Sequence, residues 1–146
     1  MNTACTVRLA TLKDAEGICR VNREDLGYDH PYEAVYTQLA ALLTRETDRV
    51  FVAELDGEIV GCLHASDFTT LYLPPLKDIV GLAVSATHQR RGIGRKLLTA
   101  AEEWAKADGA KGVRLVSGAA RLGAHEFYKR CGYTHMKDQK NFRKMF

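Results

Sequence analysis

No apolar run in the 146 residues is long enough to span a bilayer as a helix, so no membrane partner is expected. The first residues, MNTACTVRLAT, carry no signal-peptide core, so a cytoplasmic location is the expectation. Cysteine is sparse. Cys5, Cys19, Cys62 and Cys131 lie far apart with no CxxC, which argues against a disulfide framework or a zinc site and for buried reduced thiols. Histidine supplies no HExxH either, because the position that should close the pair after His125-Glu126 is Lys129. The net charge is only +3, and the basic residues are not interleaved with aromatics. That combination suits a small anionic ligand and does not call for nucleic acid. Repeats, low-complexity tracts and linkers are absent as well, so one domain over residues 1–146 is the simplest organisation.

What is present is a patterned, soluble chain. The 46% hydrophobic and 27% charged fractions are those of a globular protein with a real core. Val7-Arg8-Leu9 predicts a first strand, and Thr11 with Asp14 a variant capping box opening a helix. Pro31 disfavours helix at His30, which makes residues 26–31 a loop. Val35, Leu39, Leu42 and Leu43 recur at helical spacing behind it. Arg49 to Leu55, the Asp56-Gly57 turn and Glu58 to Ser66 read as a hairpin. Asp78 to Val84 is a strand, and Val113 to Ser117 another. Leu97, Leu98, Ala101, Trp104 and Ala105 mark one face of a helix, and Ala124, Phe127, Tyr128 and Cys131 a face of the next. Two final strands are expected at residues 133–137 and 141–146. The fold class is therefore α/β, a mixed sheet of about seven strands flanked by about four helices.

One stretch organises the rest. After the strand ending at Val84, a basic loop with two glycines, Gln89-Arg90-Arg91-Gly92-Ile93-Gly94, runs into a helix. Unpaired N–H groups at a helix start, the helix dipole and glycines without Cβ atoms together make an anion site. Arg90, Arg91, Arg95 and Lys96 add charge. A P-loop needs Gly-Lys-Ser/Thr, but Gly94 is followed by Arg95-Lys96. A dinucleotide fingerprint needs a third glycine, and that position is Leu97.

The remaining pattern, Gln-x-x-Gly-x-Gly, resembles the signature of the GNAT acyltransferase superfamily. A second motif at the right distance, Ala124-His125-x-Phe127-Tyr128-x-x-x-Gly132-Tyr133, strengthens that resemblance. It implies the GNAT fold and acetyl-CoA as cofactor. It further implies that Gln89, Arg90, Arg91, Gly92, Ile93, Gly94 and Arg95 hold the diphosphate, and that Leu82, Ala83 and Val84 meet the pantetheine arm along the strand. By the same resemblance Tyr128 is the acid that protonates the leaving thiolate, and Asp78 the base that deprotonates the acceptor amine. Glu24 and Asp25 are alternative bases or recognition residues. Glu24 and Tyr28 belong to the acceptor side, which suits a small cationic amine. Arg121 stands where many members carry an asparagine against pantetheine. The implied reaction is direct attack of a primary amine on acetyl-CoA in a ternary complex, with homodimerisation left open as an assembly mode. A peptide or protein N-acetyltransferase and a silent acyl-CoA sensor are the competing readings.

Overall fold

A computed structural model describes residues 4–146. They fall into two compact units, one ending at Leu115 and the other spanning Val116–Phe146.

The first unit is built on a five-stranded sheet in the order β1-β2-β3-β4-β5. Its strands are β1 (Thr6–Leu9), β2 (Asp48–Leu55), β3 (Glu58–Phe68), β4 (Leu76–Val84) and β5 (Val113–Leu115). The first four pair antiparallel and β5 joins β4 in parallel, so the sheet is mixed. The β2–β3 turn uses Asp56 and Gly57, both at positive φ (52° and 76°), the conformation that Asp-Gly tolerates and that matches strand twist.

Helices α1 (Ala15–Leu26) and α2 (Tyr32–Leu42) cover one face of the sheet. Ile18 and Val21 of α1 and Leu39 of α2 pack there on Val50, Val52, Cys62 and Ala83. The other face receives α3 (Ile93–Ala107), whose buried stripe is Ile93, Leu97, Leu98, Ala101 and Ala105. Gly61 permits that approach: a Cβ there would lie 3.1 Å from Leu97 Cδ1 and 3.2 Å from Ile93 Cγ2. The Thr11 N–H donates to Asp14 Oδ2 at 2.8 Å, closing half of the expected box over a 3-10 turn (Leu12–Asp14) that leads into α1. Buried Lys77 of β4 is held by Asp67 and Asp108, with its ammonium 3.9 Å from the Trp104 ring centroid, tying β3 and β4 to the end of α3.

The second unit holds α4 (Leu122–Arg130). The His125 ring bonds the Gly118 carbonyl at 2.9 Å, and the Tyr133 N–H donates to the Tyr128 carbonyl at 2.9 Å. Residues 133–146 form no strand among the described residues, which corrects the two expected there and brings the sheet from about seven strands to five. The segment HMKDQKNFRKMF explains the difference. Polar and charged residues break the period-2 alternation, and Met136, Phe142, Met145 and Phe146 stand exposed rather than buried on one face.

Candidate active site

The site follows from how β4 parts from β5. The two strands pair only at Lys77–Val113, Asp78–Arg114 and Ile79–Leu115. Beyond Ile79 no strand among the described residues pairs with that edge of β4. On its other side β4 stays on β3, with a bulge where His64 faces Gly81 but Ala65 faces Ile79, so that Val80 is the extra residue. The Ser85 N–H donates to the Val60 carbonyl at 2.8 Å. Ladder alternation then turns the Ala83 backbone toward β3 and the Leu82 and Val84 N–H and C=O groups toward the open edge. That edge is a template for an extended, amide-bearing ligand. The Ala83 side chain is buried in the core beneath it.

At the end of this edge the chain makes a 3-10 turn (Ala86–His88) and enters the glycine loop. Arg90 lies at φ 65° and Gly92 at φ 78°. Gly92 is the N-cap of α3 and no side chain caps it. The first N–H groups of α3 therefore present an anion-binding end, flanked by exposed Arg90, Arg91, Arg95 and Lys96. The left-handed backbone at a non-glycine arginine stores strain of order 1 kcal/mol in this loop.

Asp25 of α1 reaches both features. Its Oδ1 accepts from Gln89 Nε2 at 2.7 Å, and its Oδ2 accepts from the Val84 N–H at 3.3 Å. Gln89 Nε2 also donates to the Val84 carbonyl at 3.3 Å. Val84's edge groups are thus engaged by side chains.

Against the opposite end of the edge lies a cavity of about 510 Å³ between α1, α2 and the sheet. Ile18, Leu26, Val35, Leu39, Leu42 and Val50 form its walls, and Val80 and Gly81 of the bulge reach it. Tyr28 and Asp29 line it from the α1–α2 loop, whereas Glu24 is exposed on α1 and does not. The floor is polar. His64 Nε2 bonds Asp48 Oδ1 at 2.7 Å, and Thr47 Oγ1 donates to Asp48 Oδ2 at 2.7 Å. Burial alone would raise the Asp48 carboxyl, but the bonds from His64 and Thr47 outweigh it and hold the group below the usual range.

Asp78 shares that sheet face, opposite Ser66 on β3 as Asp48 is on β2. Arg114 Nη1 donates to Asp78 Oδ1 at 2.9 Å, and the same guanidinium stacks 4.2 Å from the Phe68 centroid. Burial pushes the Asp78 carboxyl above the ordinary carboxylate value, against the opposing pull of Arg114 and His64. Asp78, Leu82 to Val84, Gln89 to Arg95 and Tyr28 therefore lie in the first unit around one edge and one cavity. Tyr128 is on α4 in the second unit, its ring 5.3 Å from Phe127 and 6.1 Å from Tyr133, centroid to centroid.

The sequence reading passed over His64, Asp48 and Arg114. The strand pattern held a signal for one of them, His64: Cys62, His64 and Ser66 alternate with apolar Leu63 and Ala65, which marks a polar group on an inward face. Among the described residues no cluster of histidine, cysteine and carboxylate side chains could hold a metal ion, and no helix is long and apolar enough to cross a membrane.

The acetyltransferase (GNAT) family model matches residues 15–133. An uncharacterized N-acetyltransferase of Methanocaldococcus jannaschii is 34% identical over 71% of this chain, which spans about half (47%) of that relative's length. The aminoalkylphosphonate N-acetyltransferase of Salmonella typhimurium is 31% identical, over 88% of this chain and 84% of its own. Among solved structures, an aminoglycoside N-acetyltransferase, AAC(6')-Iy, in complex with CoA superposes with a TM-score of 0.88 at 17% identity. That match covers 99% of this chain and 97% of the other. The open edge of β4, the glycine loop and the extent of these matches agree, and the chain belongs to the GNAT family of acetyltransferases.

Proposed function

We propose that this acetyltransferase moves the acetyl group of acetyl-CoA to a small primary amine by direct attack within a ternary complex. The observation that carries the proposal is the continuity of three features: the β4 edge left unpaired beyond Ile79, the uncapped start of α3 at one end of it, and the cavity at the other. The α3 N–H groups with Gln89 through Arg95 suit the diphosphate, and the outward backbone groups of Leu82 suit the pantetheine arm, those of Val84 being held by Asp25 and Gln89. The family membership and the CoA complex of the superposable enzyme support that assignment. The acceptor amine enters beneath α1 and α2. Tyr28 and Asp29 border the cavity, and Glu24 adds negative potential nearby, which favours a cation. The name of the Salmonella relative, an aminoalkylphosphonate N-acetyltransferase, supports a small amine as acceptor.

In this reading Asp78 takes the ammonium proton through a bridging water, since Arg114 already occupies its Oδ1. The amine nitrogen attacks the thioester carbonyl carbon. The oxyanion that forms is met by the outward Leu82 N–H. The C–S bond then breaks and Tyr128 protonates the departing thiolate, as a phenol of pKa about 10 is protonated at neutral pH; the excess N–H proton of the intermediate passes to water, from which the phenolate is reprotonated. A thiol-release assay over polyamines, alkylamines, aminoglycosides, amino acids and peptides tests the proposal. Tyr128→Phe should lower kcat while leaving the affinity for acetyl-CoA nearly intact. An unchanged kcat would remove Tyr128 from the acid role.

A further inference from the structure

The cavity beside β4 is uneven in its chemistry, and the unevenness bears on which amine it takes. One continuous stretch of its wall is hydrocarbon: Ile18 and Leu26 from α1, Val35, Leu39 and Leu42 from α2, and Val50 from β2. The polar side chains on its surface are mostly satisfied from within. Asn22 Oδ1 accepts from the Cys62 thiol at 3.6 Å, and Gln38 Oε1 bonds the His30 ring at 2.7 Å. Asp29 is highly exposed at the mouth, 3.9 Å from Arg23.

His64 is held from behind by a buried carboxylate. An ionised Asp48 can only accept, so His64 Nε2 carries the proton in that 2.7 Å bond, and in the neutral ring Nδ1 is then the acceptor. The ring lies on the sheet face below α1 and α2, opposite Gly81 at the bulge. Its partner Asp48 is buried and doubly bonded, so the orientation is fixed.

From this geometry we infer that the acceptor is a primary amine with a compact apolar body, its nitrogen at His64 and its hydrocarbon between α1 and α2. The inference rests on the amine-acetylation reading and deepens it. The volume, about 510 Å³, is in the range of small-ligand sites. A polyhydroxylated amine would bury hydroxyls against the aliphatic stretch of the wall, and every such group left unpaired there lowers affinity. A hydrocarbon body instead gains with each methylene removed from water. His64 is a positioning residue here: it accepts a hydrogen bond from the amino group and presents the nitrogen toward the bulge of β4.

The test is kcat/KM by thiol release, at saturating acetyl-CoA, across n-propylamine to n-hexylamine, with an aminoglycoside and a short peptide with an apolar first residue as comparators. Burial predicts about a fourfold rise per methylene, roughly 60-fold over the series. Val35→Thr keeps the wall's shape but makes it polar, and should flatten that rise while the urea midpoint confirms a folded protein. His64→Gln should raise KM for every amine by a similar factor and leave the slope intact. A flat or falling series in the parent overturns the inference, as does greater efficiency on the aminoglycoside or on the peptide. Thiol release with none of these acceptors, while acetyl-CoA still binds, defeats the amine-acetylation reading itself and is distinguishable from a flat series.

Discussion

Replacing Gly17 by alanine sets two physical effects against each other in α1, the helix that roofs the cavity. Helix propensity favours the change: glycine within a helix costs about 1 kcal/mol relative to alanine. Packing opposes it. A Cβ at Gly17 would stand 2.7 Å from Ile59 Cβ and 2.8 Å from Ile59 Cγ1, where carbon atoms rest at about 3.5–4.0 Å. The nearer contact is to the first atom of the Ile59 side chain, which no rotamer change moves away. Either α1 lifts from β3 by about 1 Å or the strand yields, and overpacking of this kind costs about 1–3 kcal/mol. The contact sits in the core that Ile18, Val21 and Ile59 share, so a shift there spreads. The expected net result is destabilisation by about 1–2 kcal/mol, or roughly 3–6 °C in Tm for a chain of this size. Urea unfolding followed by far-ultraviolet circular dichroism measures it, with the exposed Glu16→Ala as a helix-propensity control. If Gly17→Ala is instead stabilised by about 1 kcal/mol, propensity has won, and the close approach of α1 to β3 is wrong. The same displacement should raise KM for the amine more than KM for acetyl-CoA, because α1 forms a cavity wall.

Two further outcomes follow from the charged groups. If Asp78 is the base, the rate should rise as pH climbs through a carboxyl value lifted by burial, above the ordinary value of about 3.9. Asp78→Asn should remove that rise in kcat/KM, and a superimposable profile would return the role to another group. Arg8 hydrogen bonds, aided by the Thr11 N–H, hold buried Asp14 below its ordinary range against the opposing effect of burial. A depressed carboxyl stabilises the fold above its unfolded pKa and loses that contribution as pH falls through the folded value. Asp14→Asn should therefore cost about 1–3 kcal/mol near neutral pH, and the gap from the parent should close on acidification in urea titrations. A gap independent of pH would contradict the assignment.

How far the sequence could be read depended on whether a feature was local. The Asp56-Gly57 hairpin, the glycine at the start of α3 and the stripe from Leu97 to Ala105 each follow from spacing or from a backbone conformation that few residues tolerate. All three stand in the structure. The last two strands were misread because apolar residues alone do not make a strand. Phe142, Met145 and Phe146 lack a face to bury and stand exposed.

The cavity beneath α1 and α2 was hidden for a different reason. Asp48 and His64 are sixteen residues apart in sequence and meet only because β2 and β3 pair in one register, with Val50 opposite His64 and Asp48 opposite Ser66. A slip of one residue would turn His64 to the α3 side and dissolve the pair. The bulge at Val80 is equally silent in composition, yet it changes which β4 side chains share a face with His64. Phosphate recognition can be written into a short contiguous loop because backbone amides do most of the work. Acceptor recognition must be assembled by sheet register from separate strands and helices. The loop is thus the part of such a chain that a sequence announces, and the cavity the part that only the folded sheet assembles.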